Sequence, residues 1–282
     1  MKRIALINDL SGFGKCSLTA AIPVISVMGI QACPLPTAVL TAQTGFKEYF
    51  CDDYTDRMDE FTRHWKRMGV SFDGICSGYL AGAGQIEKVL CFLEEFKGRD
   101  TLYLADPVLG DGGRLYGNFT QELLAEMKKL VKKADVITPN LTELCLLAHE
   151  DYFQITKYRG EKDYIKRIEE AAEKLLAKAE CPQQVIVTGI LNNHGKQEMI
   201  GNLVLSEQDS FYIETVYTGK SFSGTGDLFS SVVCGSLVKG FGAEEAVKRA
   251  VDFLQGAIEE ASRENTPTAH GVHFEHYLSC LL

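Results

Sequence analysis

The 282-residue sequence lacks several features that would assign it to well-known functional classes. Its nine cysteines include no C-x-x-C pair, and an odd number does not suit a disulfide framework. Together with the absence of a secretory leader pattern, this leads us to expect a reducing, cytoplasmic environment. No apolar run reaches the roughly 18 residues of a membrane span, so we expect no membrane contact. A formal net charge of -9 argues against nucleic acid as a partner.

Two common nucleotide-binding fingerprints are also missing. The stretch Gly12-Phe13-Gly14-Lys15-Cys16-Ser17 only partly matches a phosphate-binding loop, because Asp9 occupies the position of the required upstream glycine. The pair Gly224 and Gly226 fails the dinucleotide pattern, because Phe229 occupies the position of the third glycine. Any nucleotide must therefore be held in another way.

The chain does contain a regular alternation of strand-like and helix-like segments, with 45% hydrophobic residues to build a core. Strands are predicted at 3–8, 31–40, 74–77, 101–105, 136–138, 185–187, 199–205 and 210–217. Helices are predicted at 16–28, 53–68, 85–96, 121–132, 140–148, 163–179, 227–239 and 243–261. This order predicts an α/β fold with a mostly parallel sheet, helices on both faces and a small antiparallel edge. No linker divides the chain, so we expect a single domain over residues 1–282.

The most informative local feature is Ser223-Gly224-Thr225-Gly226-Asp227, which is followed at once by an apolar helical pattern. Free N–H groups and the dipole at a helix N-terminus favour an anion, and glycine lets a ligand approach the backbone closely. An aspartate at this position would repel a phosphate. Its presence makes sense if it accepts a proton beside that phosphate. A hydroxyl that attacks a phosphoryl group needs such a base. The alternative is a helix cap without catalytic function.

Polar residues follow almost every predicted strand, where open α/β sheets bind their ligands. Among them, oxygen ligands suited to Mg²⁺ come after neighbouring strands at Asp106, Asp111, Asn140 and Glu143. Asn140 and Glu143 are three residues apart at a helix start, so both can face one site. The same spacing is also that of a capping pair, and a contact to the metal through water would satisfy both interpretations.

The chain contains, in this order, Asp106-Pro107-Val108, Asn140-x-x-Glu143 and Gly224-Thr225-Gly226-Asp227. This ordered set of motifs resembles the ribokinase-like superfamily. Within it, Gln43-Thr44-Gly45-Phe46, Ser77-Gly78-Tyr79, 106–111 and 137–140 are similar to the pyridoxal/pyridoxamine kinases of vitamin B6 salvage. The similarity extends from about Ile4 to Ala261.

The resemblance implies a single-domain, three-layer ribokinase-like fold and ATP-dependent phosphorylation of the 5′-hydroxymethyl group of pyridoxal, pyridoxamine or pyridoxine. Asp227 is then the base, with the backbone N–H groups of Gly224, Thr225 and Gly226 as the anion hole. The acceptor is assigned to Asp9, Ser11, Gln43, Thr44 and Tyr79. ATP is assigned to Asp106, Asp111, Tyr116, Asn140, Thr188, Gly189, Gly224 and Gly226, and Mg²⁺ to Asp106 and Glu143. A homodimer and a requirement for K⁺ or another monovalent cation are also implied.

One departure leaves the acceptor open. The better-known pyridoxal kinases have serine at the position of Asp9 and histidine at that of Gln43. Asp9-Leu10-Ser11-Gly12 is more similar to the hydroxymethylpyrimidine kinases of thiamine synthesis. A third hypothesis, a non-catalytic carrier of pyridoxal phosphate, conflicts with the carboxylate of Asp227 beside a phosphate.

Overall fold

The computed structural model describes all 282 residues. The strands are β1 (Arg3–Ser11), β2 (Gln31–Leu40), β3 (Cys51–Asp53), β4 (Gly74–Ser77), β5 (Leu102–Ala105), β6 (Gly110–Asp111), β7 (Arg114–Leu115), β8 (Val136–Ile137), β9 (Gln184–His194), β10 (Gln197–Leu205) and β11 (Ser210–Val216). The helices are α1 (Ser17–Val27), α2 (Thr55–Arg67), α3 (Ala83–Phe96), α4 (Gln121–Val131), α5 (Leu141–Ala148), α6 (Tyr152–Thr156), α7 (Tyr164–Leu176), α8 (Thr225–Lys239) and α9 (Ala243–Arg263). Two 3-10 helices, Thr268–His270 and Phe274–Leu281, lie near the C-terminus.

Nine strands form a sheet in the order β11-β10-β9-β8-β5-β4-β1-β2-β3, and β6 and β7 form a separate two-stranded sheet. Strand β1 pairs in parallel with β2 and β4, and β8 pairs in parallel with β9. The antiparallel pairs lie at the two ends of the order, β9–β10–β11 at one and β2–β3 at the other. The predicted α/β class with a mostly parallel sheet and an antiparallel edge is thus confirmed.

The chain folds into two compact units, of which the first comprises Met1–Leu104 and Lys220–Leu282. Strand β1 is the centre of its core, with Ile4, Ala5 and Ile7 completely buried. Helix α8 packs against α1 and α9, and the aromatic rings of Trp65, Phe72 and Phe92 pack together between α2 and α3. Helix α8 is buried almost all around between Leu228 and Val238, where its residues are apolar or small.

The second unit comprises Ala105–Gly219. Helix α5 packs against α4 and α7, and α7 packs against β9 and β10. Tyr164 and Ile168 of α7 are completely buried, whereas the opposite face of that helix is charged. This amphipathic pattern agrees with the helix predicted from the sequence for 163–179.

Several short or irregular elements, including the two C-terminal 3-10 helices, escaped the sequence prediction. Strand β3 has three exposed residues and no apolar pattern, and α6 has only five residues. Strands β6 and β7 are joined by Gly112 and Gly113, both at positive φ, as in a two-residue hairpin turn. Strand β9 continues beyond 187 and pairs with β10 on both sides of Gly189, which has φ +65° and lies at an irregularity in the register. None of the helices combines the length and apolar character that crossing a membrane requires.

Candidate active site

The turn that opens helix α8 has the backbone geometry that its glycines predict. Gly224 is the N-cap residue and has φ +83°, a left-handed conformation that favours glycine. A Cβ atom at Gly224 would also overlap the carbonyl oxygen of Lys15. At Gly226, by contrast, an added Cβ would have no atom within 4 Å, so the backbone there is open. The start of α8 therefore combines unpaired helical N–H groups with space for a ligand.

Asp227 lies in the first turn of α8 and is partly buried. Its Oδ1 atom accepts a hydrogen bond of 2.9 Å from the Nδ2 of Asn8, and the backbone N–H of Ser17 also donates to its carboxylate. Burial raises the pKa of Asp227 to about 6, and the charge of Asp9 adds to the rise, while the two hydrogen bonds oppose it. A carboxylate of this kind accepts a proton near neutral pH more readily than an exposed aspartate does.

Asn8, at the end of β1, is the residue that orients Asp227. Its Oδ1 atom accepts backbone N–H bonds from Asp9 at 3.0 Å and Tyr79 at 2.8 Å, so its Nδ2 is left to point at the carboxylate of Asp227. Gly78 lies directly beside this amide. A Cβ atom at position 78 would be only 2.5 Å from Asn8 Nδ2. The Gly78-Tyr79 pair thus makes room for this amide.

Asp9 is buried, and both of its carboxylate oxygens are occupied. Ser11 Oγ donates to Oδ2 at 2.8 Å, and Ser17 Oγ donates to Oδ1 at 2.5 Å. Burial raises the pKa of Asp9, and the two hydroxyl bonds lower it. Ser17 itself has φ +50°, which is unfavourable for a non-glycine residue and is often found at functional sites. Ser11 is completely buried.

The other residues predicted to bind the acceptor, Gln43, Thr44 and Tyr79, differ in how deeply they are buried. Gln43 is buried; its Nε2 donates to Ser223 Oγ and the Ala269 carbonyl, and its Oε1 accepts from Gly45 N. Thr44 is exposed beside it. Burial, reinforced by nearby acidic groups, raises the pKa of the half-buried Tyr79 to about 12, so its phenol stays protonated.

An aromatic cluster lies next to Gln43 and was not predicted from the sequence. The rings of Phe13, Phe46 and His270 have centroids 5.2–5.7 Å apart, and Phe13 is 53% exposed. The three residues come from distant parts of the chain. No sequence pattern links them, and only the packing of their loops brings them together.

In the second unit, the predicted capping pair is present at the start of α5. Asn140 Oδ1 accepts from the N–H groups of Thr142 and Glu143, and Glu143 Oε2 accepts from Asn140 N at 2.9 Å. Glu143 Oε1 also accepts from Leu109 N at 3.0 Å, and Asn140 Nδ2 donates to the Gly110 carbonyl at 2.8 Å. Both residues therefore join α5 to the segment after β5.

The remaining predicted nucleotide residues of this unit surround that segment. Asp111 is exposed in β6 and accepts from Gly112 N at 2.7 Å, and Tyr116 follows β7 and is 43% exposed. Thr188 forms an isolated parallel bridge with Asn140, and its N–H bonds to the Pro139 carbonyl. The exposed Gly189 follows it.

The donor set of the second unit suits a hard divalent cation. Glu143 is buried, and burial, together with the charges of Asp106 and Asp111, raises its pKa well above the usual value, although two backbone N–H bonds oppose the rise. Three carboxylates that destabilise one another in this way would be stabilised by a bound cation, and all are oxygen ligands. No cluster of three or more histidine, cysteine, aspartate or glutamate residues is arranged to hold a metal by itself. Mg²⁺ would fit here only with part of its water shell between it and these oxygens.

A known protein family matches most of the chain. The sequence model of the phosphomethylpyrimidine kinase family matches residues 16–272. The chain belongs to this family. A Bacteroides thetaiotaomicron protein assigned to the phosphomethylpyrimidine kinases is 39% identical, with a TM-score of 0.91 over 99% of this chain and 93% of that one. A second crystal form of that protein, with pyridoxal, gives 38% identity and a TM-score of 0.89, over 99% of this chain and 95% of that one.

Pyridoxal kinases are also among the similar proteins. The enzyme from Lactobacillus plantarum is 28% identical, with a TM-score of 0.87 over 100% of this chain and 97% of that one. The pyridoxal kinase of Rubrobacter xylanophilus is 26% identical over 92% of this chain and 88% of its own length. The chain is thus an ATP-dependent kinase of the ribokinase-like superfamily, as the resemblance in its motifs implies.

Proposed function

We propose that this kinase phosphorylates the 5′-hydroxymethyl group of pyridoxal, pyridoxamine or pyridoxine with ATP, giving the 5′-phosphate and ADP. The observation that carries the proposal is the environment of Asp227. This carboxylate lies in the first turn of α8, beside a glycine turn with open backbone, and its pKa is raised to about 6. A base and an anion cradle in adjacent residues suit phosphoryl transfer to an alcohol.

In the proposed step, Asp227 takes the proton from the acceptor hydroxyl, whose oxygen attacks the γ-phosphorus of ATP. The bond from this phosphorus to the oxygen of ADP breaks, and ADP leaves with that electron pair. Asn8 and the N–H of Ser17 hold the carboxylate in position, as their hydrogen bonds indicate. The N–H groups of Gly224, Thr225 and Gly226 would stabilise the charge on the phosphoryl oxygens.

Nucleotide binding is proposed for the second unit. Asp106, Asp111, Tyr116, Asn140, Thr188 and Gly189 are assigned to ATP, and Asp106 and Glu143 to Mg²⁺, the latter through water. When bound, Mg²⁺ would neutralise charge on the phosphates. Because both Glu143 oxygens already accept backbone N–H bonds, that side chain keeps few lone pairs for a direct metal contact. We also propose that a monovalent cation supports the reaction.

Recognition of the acceptor is proposed for Asp9, Ser11, Gln43, Thr44 and Tyr79. Asp9 is supported by two hydroxyl bonds, so a substrate donor would share an already oriented carboxylate. Ser11 acts through Asp9, because its side chain is completely buried. The exposed ring of Phe13 in the aromatic cluster offers a flat apolar surface to a pyridine ring.

A second acceptor is favoured by a specific observation. The matching family model is that of phosphomethylpyrimidine kinases, and the chain has an aspartate at position 9, near the end of β1. The amino group of a hydroxymethylpyrimidine could donate to this carboxylate just as a B6 vitamer could. B6 is preferred because the 38% identical Bacteroides protein was crystallised with pyridoxal.

The test is a side-by-side assay of ADP release with Mg·ATP. The acceptors are pyridoxal, pyridoxamine, pyridoxine, hydroxymethylpyrimidine, phosphomethylpyrimidine and ribose. We expect the highest kcat/KM with a B6 vitamer and no ADP release with ribose. A higher kcat/KM with either pyrimidine would overturn the B6 assignment. If the protein binds pyridoxal phosphate but releases no ADP from ATP with any of these acceptors, it would instead be a non-catalytic carrier.

A further inference from the structure

The second unit contains a cavity of about 270 Å³ whose residues have no assigned function. Its apolar wall consists of Val131 at the end of α4, Ile137 in β8, Leu147 in α5 and Leu175 in α7. Gln183 completes the wall and is fixed there, because its Nε2 donates to the backbone carbonyls of Val131 and Ala134. The volume is near the lower end of ordinary ligand pockets, which occupy about 300–1,000 Å³.

Three lysines contribute to the otherwise mostly apolar lining of this cavity. Lys128, Lys132 and Lys178 line it together with His149. None of the three lysines forms an ion pair with a carboxylate, and Lys128 Nζ is 2.8 Å from His149 Nε2. In a protein of net charge -9, three lysines without a carboxylate partner around one apolar cavity form a local positive site.

Three acidic side chains near these lysines are each paired with a different lysine. Glu126 pairs with Lys129, Glu180 with Lys133, and Glu150 with Lys174. Lys129 and Lys133 each directly follow one of the cavity-lining lysines in the sequence, so the chain offers matched internal controls.

The ends of helices α4, α5 and α7 account for part of this pattern, because helix C-termini attract cations. These helix ends do not fully offset the positive charge of the three lysines, however. Burial lowers the pKa of Lys128, and the nearby charge of Lys178 lowers it further. An anion beside these lysines would relieve the repulsion between their charges, while an apolar group would fill the space beneath it.

We propose that this cavity binds a small amphipathic anion, with an apolar body against Val131, Ile137, Leu147 and Leu175 and a carboxylate or phosphate between Lys128, Lys132 and Lys178. At about 30 Å³ for each water-sized group, the cavity has room for a body of roughly ten non-hydrogen atoms. An aromatic bicycle or a medium-length alkyl chain meets that limit. None of the residues that line the cavity is assigned to ATP or to the acceptor.

The experiment uses 1-naphthalenesulfonate as the anionic probe and 1-naphthalenemethanol as its neutral analogue. Binding to the full-length protein is followed by calorimetry and by probe fluorescence, in the presence of saturating ADP and pyridoxal to occupy the kinase site. We expect binding of one anion per chain that weakens with added salt, and at least tenfold weaker binding of the neutral analogue.

Three variants locate the probe. Lys128→Gln/Lys132→Gln/Lys178→Gln should weaken binding of the sulfonate at least tenfold, and Val131→Phe should abolish it by filling the cavity. The matched control Lys129→Gln/Lys133→Gln should bind like the wild type, and thermal melting verifies that each variant is folded. The proposal is overturned if the sulfonate does not bind, or if the triple lysine variant and its control bind it equally.

Discussion

Asp227 is the residue on which the proposed chemistry depends most. A positioned base contributes about 10²–10⁴-fold to a rate. We therefore expect Asp227→Asn to lower kcat by that factor while ATP binding, measured by calorimetry, is unchanged. Turnover near that of the wild type would remove Asp227 from the mechanism.

The same residue predicts the pH dependence of the reaction. Burial raises the pKa of Asp227 to about 6, so the protonated, inactive form accumulates as the pH falls through that value. We expect kcat/KM to decrease about tenfold per pH unit well below pH 6 and to be level above it. This holds over the pH range in which the acceptor itself does not titrate. A profile without a limb near pH 6 would contradict this.

Asn8 provides a prediction that distinguishes positioning from mere packing. Its hydrogen bond to Asp227 lowers the pKa of that carboxylate, and its amide fixes the direction of the oxygen. Asn8→Ala should lower kcat about ten- to a hundredfold, the scale expected for a misplaced catalytic group, and shift the acidic limb to higher pH.

Asn8→Asp should shift that limb further, because it adds a negative charge beside Asp227. A loss of thermal stability without any movement of the limb in either variant would assign Asn8 a structural role only.

At the scale of the element, the start of helix α8 contains a matched pair of glycines. Gly224→Ala places a Cβ in a left-handed conformation and against the Lys15 carbonyl. It should reduce the free energy of unfolding by about 2 kcal/mol or more. At Gly226 an added Cβ has open space, so Gly226→Ala should keep the wild-type Tm.

Gly226→Ala should nevertheless raise the KM for ATP, because the methyl group would crowd the phosphate that we propose to bind at this backbone. The measurements are thermal melts and ATP titrations of both variants. If Gly226→Ala has wild-type kinetics, the anion cradle lies elsewhere.

The capping box of α5 yields a test of the metal assignment. Glu143→Gln removes a charge but keeps one acceptor for a backbone N–H. We expect it to raise the Mg²⁺ concentration needed for half-maximal turnover more than it changes the KM of the acceptor.

Thr120→Ala is the control, since Thr120 caps α4 by accepting from Leu123 N and has no assigned metal role. Loss of this cap should cost about 1 kcal/mol of stability and leave the Mg²⁺ titration unchanged. If the Glu143→Gln titration overlays that of the wild type, Glu143 is only a helix cap.

At the scale of the whole molecule, the proposed oligomeric state can be measured directly. The resemblance to pyridoxal kinases implies a homodimer, so light scattering coupled to size exclusion should give twice the 31.2 kDa mass of one chain. Strand β3 is an edge strand with three exposed residues and follows the exposed Phe50, the kind of edge that proteins cover. A monomer at micromolar concentration would contradict the expectation.

Most of the elements were predictable because their signals are local. The predicted bounds of β2 and β4 agree with the structure, and those of α8 and α9 differ by only two residues at one end. Their periodic apolar residues, and the glycines and prolines between them, act over a few positions. The three-residue strand β3 and the five-residue helix α6 carry too few residues for any period to emerge.

The sequence by itself determined the alternation of strands and helices, the glycine turn before Asp227 and the Asn140–Glu143 cap, because each depends on neighbouring residues. Tertiary structure alone decided how Asn8 serves Asp227, which lies 219 positions away, and how Ser17 and Ser11 occupy Asp9. It also raised the pKa of Asp227 and collected lysines from separate segments around one cavity. Burial and long-range contacts arise only when the elements pack, so no local pattern encodes them.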